Sequence, residues 1–134
     1  MMRKFLLLAI VALSGCTVLD AYLMTKYDPN EYGLITKIRS DASYYKNFCN
    51  DAVASKENAI KLANETLLFK NYSENIPRNN DNYKSATSLN EISNGLVEKY
   101  KSNESVSSVF CKLKFEGVEH SASLMQHVIG NRPR

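Results

Sequence analysis

The placement of the prolines constrains this chain more than any other feature. There are three, at positions 29, 77 and 133, and between them apolar and small residues recur at steps of three and four. After Pro29 the stripe runs Ile35, Ile38, Ala42, Tyr45, Cys49, Ala52, Ala59, Ala63 and Leu67. After Pro77 it runs Leu89, Ile92, Leu96, Tyr100, Val106, Val109, Phe110, Leu113, Val118, Leu124 and Val128. That period is helical, and no stretch alternates with the period of two that a half-buried strand requires. The chain is therefore expected to be all-α, in two helical halves.

The punctuation agrees. Asp28-Pro29-Asn30-Glu31 reads as a helix start, with Asp28 as cap, Pro29 in the first turn and Glu31 closing a capping box. Residues 73–85, rich in Ser, Asn, Asp, Pro and Arg, read as the central loop. Ser88 with Glu91 offers a second capping box, and a start one turn earlier is compatible with it. The stripe weakens at Ser55-Lys56-Glu57-Asn58 and at Ser102-Asn103-Glu104-Ser105. Gly130 and Pro133 close the second half, and residues 131–134 are expected to be a frayed tail.

The N-terminus carries a different kind of information. Arg3 and Lys4 precede an apolar run from Phe5 to Leu13, followed by Ser14, Gly15 and Cys16. A basic region, a short apolar region and small residues are the order of a secretory signal peptide. The apolar run falls short of the roughly 18–20 residues that a membrane span needs. Leu13-Ser14-Gly15-Cys16 resembles the lipobox of bacterial lipoproteins. That resemblance implies cleavage before Cys16 and a covalent lipid there, a diacylglycerol on its sulfur, with palmitate among the expected acyl groups. Residues 1–15 are then a signal peptide, and residues 16–27 a lipidated N-terminus with a short apolar segment. Residues 28–130 form a single helical domain with its loop at 73–85. Thr17, where an aspartate would favour the inner membrane, points to the inner leaflet of an outer membrane, facing the periplasm.

Loss of Arg3 and Lys4 with the signal would take the formal charge from +3 to +1. So nearly neutral a chain offers no field for nucleic acid. In Val18, Leu19, Tyr22, Leu23 and Met24 the apolar residues fall on one side of a short helix. They are expected either to pack on the domain or to lie at the bilayer surface.

In an exported protein, Cys49 and Cys111 form an even pair in an oxidising compartment, where a disulfide is the expected state. The pair also sets a register. If the halves form an antiparallel hairpin turning near residue 80, Cys49 faces Cys111. Ile35 then faces Met125, Ile38 faces Ala122, Tyr45 faces Phe115, Ile60 faces Tyr100, Leu68 faces Ile92, and Lys56 opposes Glu104. Two architectures share this register: an extended hairpin of two long helices, or a bundle in which both halves bend at 55–58 and 102–105. The absence of Gly and Pro between Ala52 and Ala63 favours the extended form.

Catalytic constellations are sparse. His120 and His127 stand seven residues apart on one helix face, about 10 Å along the axis. That is too far for one ion without further ligands, even with Glu116 nearby. No Gly-x-Ser-x-Gly elbow or phosphate-binding glycine loop occurs. The expectation is a non-enzyme with no metal and no cofactor beyond the lipid on Cys16. Its partners are expected to be the lipid bilayer and another envelope protein, or a second copy of itself.

Tyr44 and Tyr45 are adjacent and cannot both face one seam, so one of them is available to a partner. In size and signal the chain resembles small lipoproteins encoded by bacteriophages. That resemblance implies an outer spanin subunit in lysis or a superinfection-exclusion lipoprotein. The chain departs from many outer spanin subunits in having so few prolines. A helical bundle that binds a small ligand is the alternative.

Overall fold

The computed structural model describes residues 24–134. The expected signal peptide, the Leu13-Ser14-Gly15-Cys16 stretch with the expected lipidation site Cys16, and the apolar residues Val18 to Leu23 lie outside the described residues. Four helices account for most of the described chain: α1 (Pro29–Tyr45), α2 (Ala52–Glu74), α3 (Asn80–Lys101) and α4 (Ser108–Gly130). A single 3₁₀ turn, Lys46–Phe48, separates α1 from α2. The described residues contain no strand, and no helix among them is long and apolar enough to cross a membrane.

Both halves bend back on themselves, so the molecule is the compact four-helix bundle and not the extended hairpin. Helix α1 packs along α4 and α2 along α3, while α1 also meets α2 and α3 meets α4. The up-down-up-down order follows from the short connections.

The first bend lies at residues 46–51, earlier than the expected 55–58, and its cause is local. Asp51 is extended and caps α2, its carboxylate accepting from the backbone N–H groups of Val53 at 3.1 Å and Ala54 at 3.0 Å. Helix α1 therefore stops without any glycine or proline, because a strong N-cap restarts the chain. Ser55, which looks like a gap in the stripe, is fully buried, and its hydroxyl donates to the carbonyl of Asp51 at 2.6 Å. A small residue is what the seam holds there. The second bend, residues 102–107, falls at the weak point read from the sequence, and Ser107 caps α4 by accepting from the Phe110 N–H at 3.1 Å.

The core is continuous through the bundle. It includes Ile35, Ile38, Ala42 and Tyr45 from α1, Leu62 and Phe69 from α2, and Leu89 and Leu96 from α3. Helix α4 adds Cys111, Phe115, Val118, Ala122, Met125 and Ile129. The cysteine-derived register holds between α1 and α4. Cys49 and Cys111 are joined by a disulfide with Cα atoms 5.7 Å apart, and Tyr45 packs edge-on against Phe115 with ring centroids 6.0 Å apart.

Between α2 and α3 the pairing is tighter than expected. Thr66 meets Asn90 and Ser73 meets Asn82, which centres the turn near residue 78. The loop shrinks to residues 75–79, because α3 begins at Asn80, two turns before Ser88. Arg78 closes that turn with φ of 61°, a left-handed conformation that L-residues other than Gly, Asn and Asp seldom adopt. The Thr25 hydroxyl donates to its carbonyl. Lys56 and Glu104 border one depression, but the ion pair of Glu104 is with Lys99.

Candidate functional site

The two ends of the bundle differ in chemistry. At the end where the described chain begins, a polar hub is buried. Glu31 has no exposed surface. Its Oε1 accepts from Ser73 Oγ at 2.9 Å, from Asn79 Nδ2 at 2.8 Å and from Asn82 Nδ2, while Oε2 accepts from Arg132 Nη1. Arg132 Nη2 donates to Asn79 Oδ1 at 2.8 Å, and Asn79 also donates to the Ser73 carbonyl at 3.0 Å. One carboxylate thus draws together the first turn of α1, the last turn of α2, the start of α3 and the residue just past α4. Every oxygen and nitrogen named has a partner, as a buried charge requires.

The sequence reading of this end needs two corrections. Glu31 is not simply the second member of a capping box. Asp28 does cap α1, accepting from the N–H groups of Asn30 and Glu31 at 2.8 Å each and from the Tyr72 hydroxyl at 3.0 Å. The Glu31 carboxylate, however, turns into the bundle. Nor do residues 131–134 fray. Arg132 is buried, the Pro133 carbonyl accepts from the Tyr27 N–H at 2.9 Å, and the Arg134 guanidinium sits 3.8 Å over the Tyr27 ring. Tyr27 in turn lies 5.8 Å from Tyr32. Gly130 admits the Tyr32 ring, since a Cβ there would lie 3.0 Å from Cε2. The arrangement is a clasp that holds the two termini of the domain together, and its groups are spent on one another.

A second polar cluster joins α1 to α2. Lys37 donates to Glu65 Oε1 at 2.7 Å and also pairs with Asp41. Hydrogen bonds to those two carboxylates hold the Lys37 ammonium above its usual range. Burial pushes the Glu65 carboxyl up to about 6, and its Oε2 is buried without a hydrogen-bond partner. Burial likewise raises the neighbouring Tyr45 hydroxyl. On the other flank Lys46 pairs with Glu119 at 2.8 Å, and that hydrogen bond draws the Glu119 carboxyl below its usual range.

The opposite end, near the disulfide, presents aromatic surface. Tyr44 and Tyr45 point different ways: Tyr45 is buried, while Tyr44 is 61% exposed. Tyr44 also has a companion that the spacing alone left unassigned. Phe48 in the 3₁₀ turn, 36% exposed, meets it edge-on with ring centroids 4.9 Å apart. The pair is four residues apart, one turn of helix, which is the signal by which it could have been recognised. Along α2, Val53, Ile60 and Leu67 are also exposed, at steps of seven that carry the row away from this end.

His120 and His127 are both exposed on α4, and the Asn131 side chain lies 3.4 Å from the His127 ring. Among the described residues, no group of three or more His, Cys, Asp or Glu side chains is placed to hold a metal ion. Compared with known proteins, the chain matches no family model, no curated protein and no solved structure.

Proposed function

We propose that this chain is a membrane-anchored envelope lipoprotein that acts by binding another protein through the disulfide end of its bundle. The observation that carries the reading is the Tyr44–Phe48 pair, two large aromatic rings packed on each other and open to solvent. Exposed apolar surface of this kind is costly to leave in water, and aromatic side chains serve as interface anchors.

Its position supports the reading. The lipid would sit on Cys16, eight residues before Met24, where the described chain starts beside the Arg132 clasp. Helix α1 rises about 25 Å from there to Tyr45. The aromatic pair would therefore face away from the bilayer, with the clasp end towards it. Helices of this length on a rigid, cross-linked body suit a spacer that presents one surface at a set height. Thr17 supports placement at the outer membrane, with the body in the periplasm. A phage-encoded protein of this layout would act in lysis, as an outer spanin subunit, or in superinfection exclusion.

The test is crosslinking in intact cells from a photo-reactive side chain at Tyr44, followed by identification of the attached protein by mass. One dominant partner is expected, lost in the Tyr44→Ala/Phe48→Ala variant. A partner spanning the inner membrane would assign a bridge of the spanin kind, and a receptor barrel would assign exclusion. Recovery of the unattached protein alone, or of self-crosslinks alone, would refute the adaptor reading.

A further inference from the structure

The seam between α3 and α4 is open along part of its length. Beside the clasp it widens into a groove of about 670 Å³ bordered by Met24, Leu124, Met125 and Val128. A second hollow of about 290 Å³ continues it along the same two helices, sharing Ser85, Leu124 and Met125 with the first. Ser85 and Ser88 of α3 are too short to cover the apolar α4 side chains that border the two hollows. Leu124 is 58% and Val128 59% exposed.

We propose that this groove is the seat of the chain's own segment Thr17–Leu23. The described chain begins in the groove: Met24 is part of its wall, and Thr25 is fixed to the Arg78 carbonyl at its edge. The residues immediately before Met24 must therefore set out from this point.

Their length and composition match. Seven residues reach about 10 Å as a helix, short enough to lie within the groove. The stretch from Ser121 to the α4 C-cap, Asn131, that borders the two hollows is about 15 Å long. Val18, Leu19, Tyr22 and Leu23 supply apolar side chains on one side of the segment, which is what an apolar wall with a polar rim accepts. Seated there, the segment would make a fifth element of the bundle. It would also fix the point at which residue 16 leaves the body. The inference concerns the chain's own packing and holds whether or not Cys16 is acylated.

The experiment uses the full chain, with a benzophenone side chain placed at Val128 and, separately, at Leu124. After irradiation, crosslinked peptides are mapped by mass spectrometry. The expected product joins α4 to residues 17–23 of the same chain, and Leu19→Asp is expected to reduce it several-fold. A benzophenone at Val109, at the far end of the same helix, should give no such product. Crosslinks from Val128 and Leu124 to lipid, to a second copy or to another protein, with residues 17–23 recovered unmodified, would overturn the proposal. So would the absence of any product. None of these outcomes involves Tyr44, so failure here is separable from failure of the adaptor reading.

Discussion

Replacing Arg132 with alanine tests the clasp directly, because the same substitution in a loose tail would cost almost nothing. Arg132 is 7% exposed at its side chain and faces a Glu31 carboxylate with none. The substitution removes the charge-assisted bond to Glu31 Oε2 and the bond to Asn79 Oδ1, leaving a buried carboxylate without its cation. Breaking a buried pair in this way costs about 3–5 kcal/mol. Ser73, Asn79 and Asn82 still donate to Glu31 Oε1, so the lower figure, about 3 kcal/mol, is the appropriate one. For a domain of this size that corresponds to a fall in Tm of roughly 10–20 °C.

Urea denaturation followed by circular dichroism would measure the loss. The Glu31→Ala, Arg132→Ala and double variants complete a cycle, in which the coupling should exceed about 1 kcal/mol. A loss below about 0.5 kcal/mol for Arg132→Ala, the range of an unremarkable surface change, would refute the clasp.

Other perturbations follow from the same structure. Replacing Cys49 and Cys111 with serine opens a loop of 62 residues and should cost about 4 kcal/mol by the chain-entropy model; an unchanged urea midpoint would show that the cross-link contributes little. Tyr45→Ala should cost about 3–5 kcal/mol by emptying the contact with Phe115, whereas Tyr44→Ala should leave stability within about 0.5 kcal/mol. Equal effects of the two would contradict their opposite placement. Because the Glu65 carboxyl is raised from 4.5 to about 6 in the folded protein, the native state binds the extra proton. Its contribution to stability is complete below pH 4.5 and is lost as pH rises through 6. After allowance for solvent screening the loss is on the order of 1 kcal/mol. Glu65→Gln should flatten that part of the stability–pH curve, and an unaltered curve would exclude Glu65 as its source.

How much could be read beforehand varies by element. The α1–α4 register was legible because pairing Cys49 with Cys111 sets it, and a single pair aligns the remaining contacts between two rigid rods. The bend after α1 was not legible from breakers. A continuous helix and two helices joined at an aspartate cap share the same apolar spacing, and only packing against α3 and α4 decides between them. The start of α3 was obscured for a different reason. Asn79 and Asn82 look like loop residues, and their burial depends on a partner 48 to 51 positions distant. Of the aromatic pair, Tyr44 was visible as the neighbour of a core tyrosine. Phe48 lies four residues on, and the 3₁₀ turn that follows α1 keeps it on the same side as Tyr44.

By itself the sequence determined the helical class, the cap at Asp28, the disulfide and the two-halved layout. Each of these rests on local spacing or on a covalent bond. The tertiary structure alone decided that the halves fold over, that Glu31 leaves its cap to become a buried hub, and that Arg132 closes the domain. A charge can be buried only where its compensating groups converge from elements far apart in the chain, and that convergence is a property of the packed bundle.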